Sequence, residues 1–132
     1  MQWFRLTLTL LVLLTLSGCA GTISNPDQTG GLVRLHVFAA PICPVETSPP
    51  DPACAPQPLS GIRLRLTDAS GASSMLLTDL TGLATIRLPI GEYQIEPLPT
   101  DQTIGSPAPI EISIVAIDAI IDRDLFYDTG IR

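Results

Sequence analysis

The sequence predicts an all-β protein, a single antiparallel β-sandwich of about seven strands. Apolar and polar residues alternate with a period of two through much of residues 31–132, and no window of useful length has the 3.6-residue period of an amphipathic helix. The alternating runs are short and are separated by clusters of Gly, Pro, Asp and Ser, which is typical of strands joined by turns. The region 31–132, about 100 residues, is enough for one domain and too short for two.

The clearest predicted strand is 61–68, in which Ile62, Leu64 and Leu66 share one face and the residues between them are polar. Side chains alternate between the two faces of a strand, so this pattern predicts one buried and one solvated face. The other strands show the same alternation less completely. The full set of predicted strands is 32–39, 61–68, 74–78, 83–88, 92–96, 110–115 and 120–127.

Residues 1–18 have the pattern of a secretory signal segment. Arg5 supplies a positive charge, and the run from Leu6 to Leu16 is apolar. This run is too short to cross a bilayer, which needs about 20 apolar residues. We therefore expect it to act as a targeting signal and to take no part in the fold.

The tetrapeptide Leu16-Ser17-Gly18-Cys19 resembles the lipobox of bacterial lipoproteins. The resemblance implies a diacylglycerol on the Cys19 thiol, cleavage before Cys19 and acylation of the new amino group, so that acyl chains hold the protein in a lipid bilayer. Ala20, where Asp would favour retention at the inner membrane, implies the outer membrane in a cell that has one. The alternative is an ordinary signal segment in which Cys19 has no role.

The mature chain would then consist of a lipidated N-terminus with a flexible tether, 19–30, and a β-sandwich domain, 31–132. Without Arg5, six Arg face thirteen Asp and Glu, a formal charge of minus seven. Such a charge disfavours binding to nucleic acid or to anionic lipid surfaces. The sequence contains no Lys, which excludes Schiff-base catalysis. No cofactor and no enzymatic activity are predicted.

Two cysteines, Cys43 and Cys54, remain after lipidation of Cys19, and they flank a proline-rich loop. An even pair outside the cytoplasm predicts a disulfide. A metal site would need further ligands, and the single histidine, His36, lies in a predicted strand. A redox motif of the thioredoxin kind would place two residues between the cysteines, where this loop has ten.

Residues 78–95, TDLTGLATIRLPIGEYQI, resemble the signature shared by carboxypeptidase regulatory-like domains and collagen-adhesin B-type repeats. Both are transthyretin-like (prealbumin-like) sandwiches, so the resemblance implies that fold. The residues Thr78, Asp79, Gly82, Gly91 and Tyr93 carry the motif. Asp79 is expected to accept backbone N–H groups in an Asx-turn, and Gly82 and Gly91 to take positive φ. Tyr93 is expected to point inward with its hydroxyl on a backbone group.

The whole domain, with its CPV-containing loop and its C-terminal sequence YDTGIR, looks like a group of short bacterial lipoproteins built on this sandwich. The resemblance implies a non-catalytic structural or protein-interaction module in the cell envelope. The predicted partner is another envelope protein, bound by an exposed edge strand or by the loop 43–54. Adhesin-type repeats often carry an isopeptide bond from a Lys, which this chain cannot form.

Other candidate sites have alternatives that the sequence leaves open. A carbohydrate-binding module would need Phe38, Phe126 or Tyr127 exposed in a groove. Calcium could bind the acidic residues near the C-terminus, although these also fit a solvated face with edge-protecting charges. His36 could act as a general base only beside a nucleophile, and Glu92 with Glu96 fits a charged sheet surface. The acidic residues in question are Asp118, Asp122, Asp124 and Asp128.

Overall fold

The computed structural model describes residues 29–45 and 47–132. The predicted signal segment, Cys19 and most of the predicted tether lie outside the described residues. Within them no helix is long and apolar enough to cross a bilayer. In chain order the elements are β1 (Gly31–Ala40), a 3-10 helix (Pro52–Cys54), β2 (Gln57–Pro58), β3 (Arg63–Asp68), β4 (Ser73–Leu77), β5 (Leu83–Leu88), β6 (Gly91–Pro97), β7 (Ile110–Ile114) and β8 (Ile120–Asp128).

The predicted fold class is confirmed: the strands form two sheets that pack into a β-sandwich. One sheet has the order β4-β3-β6-β7 and is antiparallel throughout. In the other sheet, β1 is central, with β5 and the short β2 along one side and β8 along the other. All seven predicted strands are present with ends within two residues of those predicted, and β2 is the one strand that was not predicted.

One pair of strands, β1 and β8, runs parallel, with Leu32 beside Ile120 and Ala40 beside Asp128. The period-two pattern identifies the buried face of a strand but carries no information on its direction. β8 runs this way because β7 ends at the same end of the sandwich at which β1 begins. The loop 115–119 then crosses from one sheet to the other.

The two ends of the sandwich differ in what they carry. We call the end at which β1 begins the proximal end; it also carries the turns 69–72 and 89–90 and the loop 115–119. We call the opposite end, where β1 finishes, the distal end; it carries the loops 41–56, 78–82 and 98–109 and the C-terminus. Ten residues of β1 separate the two ends by about 30 Å.

The core lies between the sheets and follows the predicted alternation. In β3, Leu64 and Leu66 are buried and the arginines beside them are exposed. β1 alternates without interruption between buried and half-buried residues over its whole length. The largest completely buried side chains come from both sheets, which places one continuous core at the centre. They are Tyr127, Leu35, Ile62, Leu64, Ile95, Ile112, Ile114, Val33 and Val37.

Thr78 fixes the corner at which the chain leaves one sheet for the other. Its side chain is buried, with Oγ1 accepting from the Ile62 N–H at 2.9 Å and donating to the Leu59 carbonyl at 2.7 Å. A buried polar group is stable only when it is hydrogen-bonded in this way. The first residue of the motif therefore ties the β4–β5 corner to the segment that precedes β3.

Tyr127 belongs to the core, and its proposed role as an exposed sugar-binding ring is wrong. It is completely buried, because it lies beside Ala39 on the inner face of the parallel pair β1–β8. Its hydroxyl donates to the Leu98 carbonyl at 2.8 Å. Burial raises the pKa of Tyr127 to about 12.

The free energy of unfolding is expected to fall by about 2 kcal/mol as the pH rises from 10 to 12. A raised pKa in the folded state means that the contribution of Tyr127 is complete below pH 10, its unfolded pKa, and is lost as the pH rises towards 12. The chain has no Lys to titrate in this range. Urea unfolding followed by circular dichroism would measure the loss.

Tyr127→Phe is the control for this titration. The variant loses the hydrogen bond to Leu98, at a cost of about 1 kcal/mol at neutral pH. Its stability should change much less between pH 10 and 12 than that of the wild type. An equal alkaline loss in both proteins would show that the buried phenol is not the responsible group.

Candidate interaction surface

β4 differs from the other long strands at the sheet edges. Within the described residues it pairs only with β3, so its outer edge is open. The other three edge strands of five or more residues carry charged side chains, such as Arg87 in β5, Glu111 in β7 and Asp122 in β8. β4 has the sequence SSMLL and carries none. Charges on edge strands prevent unwanted strand pairing, so β4 is the unprotected edge.

The register of β4 shows which backbone groups point to solvent. Thr78 N–H donates to the Ile62 carbonyl, and Asp68 N–H to the Ala72 carbonyl, each at 3.0 Å. Because bonded and non-bonded pairs alternate in an antiparallel ladder, Ser74 and Leu76 bond to β3. The N–H and C=O groups of the alternate residues face outward, and these residues are Ser73, Met75 and Leu77.

The same alternate residues expose apolar side chains. Met75 is 52% exposed and Leu77 is 63% exposed, and Leu80 in the following loop is 91% exposed. An open row of backbone groups is therefore bordered by a row of apolar side chains. This combination is what an added strand requires, since it supplies both ladder hydrogen bonds and apolar contacts.

A groove runs beside β4 where the sandwich opens between β4 and β5. It has a volume of about 310 Å³, and Ser73 and Ser74 form its β4 side. The apolar side chains Ile86 and Leu88 of β5 line the other side. A strand added to β4 would direct alternate side chains into this groove. The site therefore favours an extended segment with apolar residues at every second position.

The loop that follows β4 is held in one conformation by the motif residues. Asp79 Oδ1 accepts from the backbone N–H groups of Thr81 at 2.8 Å and Leu83 at 3.1 Å, which confirms the predicted Asx-turn. The hydrogen bond from the Thr81 hydroxyl is the main reason why the pKa of Asp79 lies below its ordinary value. Gly82 has the predicted left-handed φ, 75°. The exposed Leu80 is thus presented on a rigid turn.

Gly91 and Tyr93 complete the motif on the next hairpin. Gly91 has a φ of 158°, positive as predicted but close to fully extended backbone. Tyr93 packs against the core, and its hydroxyl donates to the Pro89 carbonyl at 3.0 Å, as predicted. These contacts fix the turn at the proximal end and lie away from the exposed residues of β4.

The loop at the distal end is closed by the predicted disulfide. Cys43 and Cys54 are bonded, with their Cα atoms 5.3 Å apart. Asp51 caps the short 3-10 helix by accepting from the Ala53 N–H at 2.9 Å. An open depression of about 480 Å³ lies over this loop, lined in part by Asp51 and Cys54. The loop offers rigid polar and proline surface without a buried charged group.

Three of the four acidic residues near the C-terminus lie beside arginines, and the fourth, Asp124, is exposed without an arginine partner among the described residues. Arg34 donates two hydrogen bonds to Asp122, at 2.7 and 2.8 Å. This contact is the main cause of the lowered pKa of Asp122. Asp128 is held by Arg132 at 2.8 Å, which lowers its pKa to about 2. Asp118 lies 3.8 Å from the Arg87 guanidinium. In the described part of the chain no three His, Cys, Asp or Glu residues converge on a possible metal position.

His36 lies on the outer face of the sheet, half-buried, with its Nε2 3.6 Å from Asp122 Oδ1. That carboxylate is already bonded to Arg34, and no hydrogen bond joins His36 to a serine within the described residues. Glu92 accepts from the Ser113 hydroxyl, and Glu96 is paired with an arginine of β3. These side chains form ordinary sheet surface contacts.

Phe38 and Phe126 form a stacked pair on the outer face of the β1–β8 sheet. Their ring centroids are 5.6 Å apart with an interplanar angle of 24°. Phe38 is half-buried, and Phe126 is 47% exposed. The pair lies on an open sheet face, where one ring covers the other. A sugar site was predicted to need these rings in a groove. Neither the groove beside β4 nor the depression over the disulfide loop is lined by Phe38 or Phe126.

Comparison with known proteins supports the fold. No family model matches the chain, and no curated protein matches it. Among solved structures, the chain is similar to the minor pilin of Streptococcus agalactiae, with 16% identity and a TM-score of 0.57 over 77% of this chain and 45% of that one. It is also similar to the full-length major pilin of Corynebacterium diphtheriae, with 16% identity and a TM-score of 0.57 over 78% of this chain and 33% of that one.

A third similar structure is the shaft pilin of Lactobacillus rhamnosus GG, with 12% identity and a TM-score of 0.52 over 76% of this chain and 50% of that one. This chain spans half or less of the length of each of these pilins. At such identities the likeness establishes the fold alone. The shared β-sandwich agrees with the resemblance to collagen-adhesin B-type domains that the motif TDLTG and its following strands indicate.

Proposed function

We propose that this protein is a lipid-anchored envelope protein whose β-sandwich is a non-catalytic module that binds another envelope protein along β4. The observation that carries the proposal is the uncharged open edge Ser73–Leu77 beside a groove whose far side is formed by Ile86 and Leu88 and which also contains Asp68. The partner contributes an extended segment that pairs with β4 and places alternate apolar side chains between the two sheets. The lipid anchor on Cys19 and an extracytoplasmic location are part of the proposal and rest on the sequence.

The alternative occupant of the edge is β4 of a second copy. Two five-residue strands paired edge to edge would bring Met75 against its own counterpart and bury little surface. Stable protein–protein interfaces bury about 1,200 Å² or more in total. A longer segment of a different protein can cover the groove and Leu80 as well as the strand edge. The geometry therefore favours a different protein over self-pairing.

Photo-crosslinking in intact cells tests the proposal at the edge itself. A photoreactive amino acid at Leu77 should give a crosslinked species larger than this protein by the mass of a partner. The matched control is the same amino acid at Ser113, which is exposed on β7, the opposite edge of the same sheet. Crosslinking of equal yield from both positions, or none from Leu77, would refute the edge as the binding site. A product of twice the protein's mass would instead identify self-pairing.

Met75→Glu should reduce the crosslink yield from Leu77 by at least about tenfold. A charge on an edge strand disfavours pairing with a further strand, and a cost of 1.4 kcal/mol already corresponds to a factor of ten. Arg65 lies directly opposite Met75 on β3, so the new charge gains a cross-strand partner in the free protein. Met75→Leu, which adds no charge, should keep the yield. Unchanged crosslinking in the glutamate variant would contradict strand addition.

A further inference from the structure

The proximal end of the sandwich carries several exposed apolar side chains. Of the ten large apolar side chains exposed among the described residues, four lie in its turns or at the first residue of β8, and they are 57–77% exposed. Clustered exposed apolar side chains mark contact sites. We call this cluster the proximal patch, and its members are Ile90, Val115, Ile117 and Ile120.

The strand register brings two members of the patch side by side. Gly91 at the start of β6 pairs with Ile114 at the end of β7. This is the last pair of the ladder. Ile90 and Val115 are the next residues of the two chain segments, so both lie just past the end of the sheet at the proximal end.

The start of the described chain is tied to the same loops. The Gly30 carbonyl accepts from the Asp118 N–H at 3.2 Å and from the Arg87 side chain at 3.4 Å. Leu32 N–H donates to the Ala119 carbonyl at 2.7 Å. The segment that leads back towards Cys19 therefore leaves the domain beside the loop 115–119, among the side chains of the proximal patch.

The distance from the acylated residue to the patch is limited by the chain itself. Ten residues lie between Cys19 and Gly30, and a flexible chain of that length spans about 5–6 Å times the square root of ten on average, under about 20 Å. The start of β1, and the patch with it, is therefore expected to stay closer to the bilayer than the distal end does. The disulfide loop at the distal end lies a further 30 Å or so along β1.

The charges at this end favour a contact driven by apolar burial. Asp118 is the charged residue within the loop 115–119, and it lies 3.8 Å from the guanidinium of Arg87. These two charges offset each other, whereas Asp68 and Glu92 at the same end have no arginine partner among the described residues. The end is therefore acidic, and attraction to anionic headgroups is not the driving force. Aliphatic side chains gain by leaving water whatever the lipid charge.

We propose that the proximal patch docks on the surface of the lipid bilayer and holds the sandwich upright, with β1 pointing away from the membrane. The inference rests on the lipid anchor proposed above. Docking places the open edge of β4 at a fixed height and directs the distal loops towards the space beyond the membrane. The partner segment would then reach β4 from the side. Its strand would run alongside β4 and therefore also point away from the membrane.

Fluorescence quenching on the reconstituted, lipidated protein tests the docking. Ile117→Cys is labelled with an environment-sensitive fluorophore, and the protein is placed in phosphatidylcholine vesicles that carry nitroxide-labelled lipids. The label should emit at shorter wavelength than in detergent-free buffer and should be quenched by the nitroxide, at low and at high salt. The control is the same label at Leu80→Cys, which is 91% exposed at the distal end and should remain in water.

Each outcome identifies which claim fails. A label at position 117 that stays in water while intact mass shows acylated Cys19 overturns the docking and leaves the anchor intact. A blue-shifted label without nitroxide quenching also overturns it, because another protein copy then covers the patch. A mass without acyl chains overturns the anchor and the docking together. None of these readings affects the crosslink from Leu77, which tests the β4 edge separately.

Discussion

Gly82→Ala is expected to lower the free energy of unfolding by about 2–5 kcal/mol. The residue has a φ of 75°, which costs an L-residue with a side chain about 1–2 kcal/mol. A Cβ atom would also lie 2.6 Å from the Val37 carbonyl oxygen and 3.1 Å from the Leu59 nitrogen. These are backbone atoms that cannot move aside cheaply, and overpacking of this kind costs about 1–3 kcal/mol more. Urea unfolding at neutral pH measures the loss.

The chain offers a matched control in Gly71. The turn DASG has the same geometry as DLTG: Asp68 Oδ1 accepts from the Ser70 N–H and the Ala72 N–H, as Asp79 does in its own turn. Gly71 has a φ of 86° with no atom within 4 Å of a Cβ position. Gly71→Ala should therefore lower the free energy of unfolding only by the cost of the positive φ, about 1–2 kcal/mol. Equal losses at Gly71 and Gly82 would show that the contact with Val37 does not matter.

Removing the disulfide by the double change Cys43→Ser with Cys54→Ser is expected to cost about 3 kcal/mol. Closing a loop of about twelve residues removes that much free energy from the unfolded chain in the loop-entropy model. The loop connects β1 to β2, but its residues contribute little to the core. The native fold should therefore remain, with a lower midpoint of thermal unfolding.

Reduction of the wild-type protein is the control for this variant. Dithiothreitol should lower the wild-type midpoint to that of the double variant and should leave the variant unchanged. Crosslinking from Leu77 should persist in the variant, because the disulfide loop joins β1 to β2 in the other sheet and forms no strand pair with β4. Loss of that crosslink, with the fold retained, would move the binding site to the loop 43–54.

Much of the fold could be predicted because buried and exposed side chains alternate along a strand. In β3, Ile62 just before the strand and Leu64 and Leu66 within it are buried as the alternation indicates. The Asx-turn at Asp79 and Gly82 could also be predicted, because such a turn needs a short acidic side chain followed by a residue with left-handed φ. The equivalent turn at Asp68 was predicted only as a turn, although its sequence D-x-S-G carries the same signal as D-x-T-G.

The neighbours of a strand could not be predicted in the same way. The sequence predicts a strand over residues 74–78, but alternation does not reveal whether a strand is central or at an edge. The lack of charge in SSMLL became informative only once β4 was found beside an open groove. Tyr127 was misjudged for a different reason: Leu125, Phe126 and Tyr127 are consecutive apolar residues, so the sequence there does not show which face is buried. Pairing with distant strands sets the edge position of β4, and local sequence does not encode it.

Hydrogen–deuterium exchange of the backbone along β4 tests the central claim most directly. The protein in membranes from its own cells should be compared with the purified protein, using a peptide that covers residues 73–77. Because the N–H groups of Ser73, Met75 and Leu77 face outward, pairing with a partner strand should slow their exchange in the membranes, while β7 exchanges at the same rate in both samples. Equally fast exchange of β4 in the two samples would contradict strand addition at this edge.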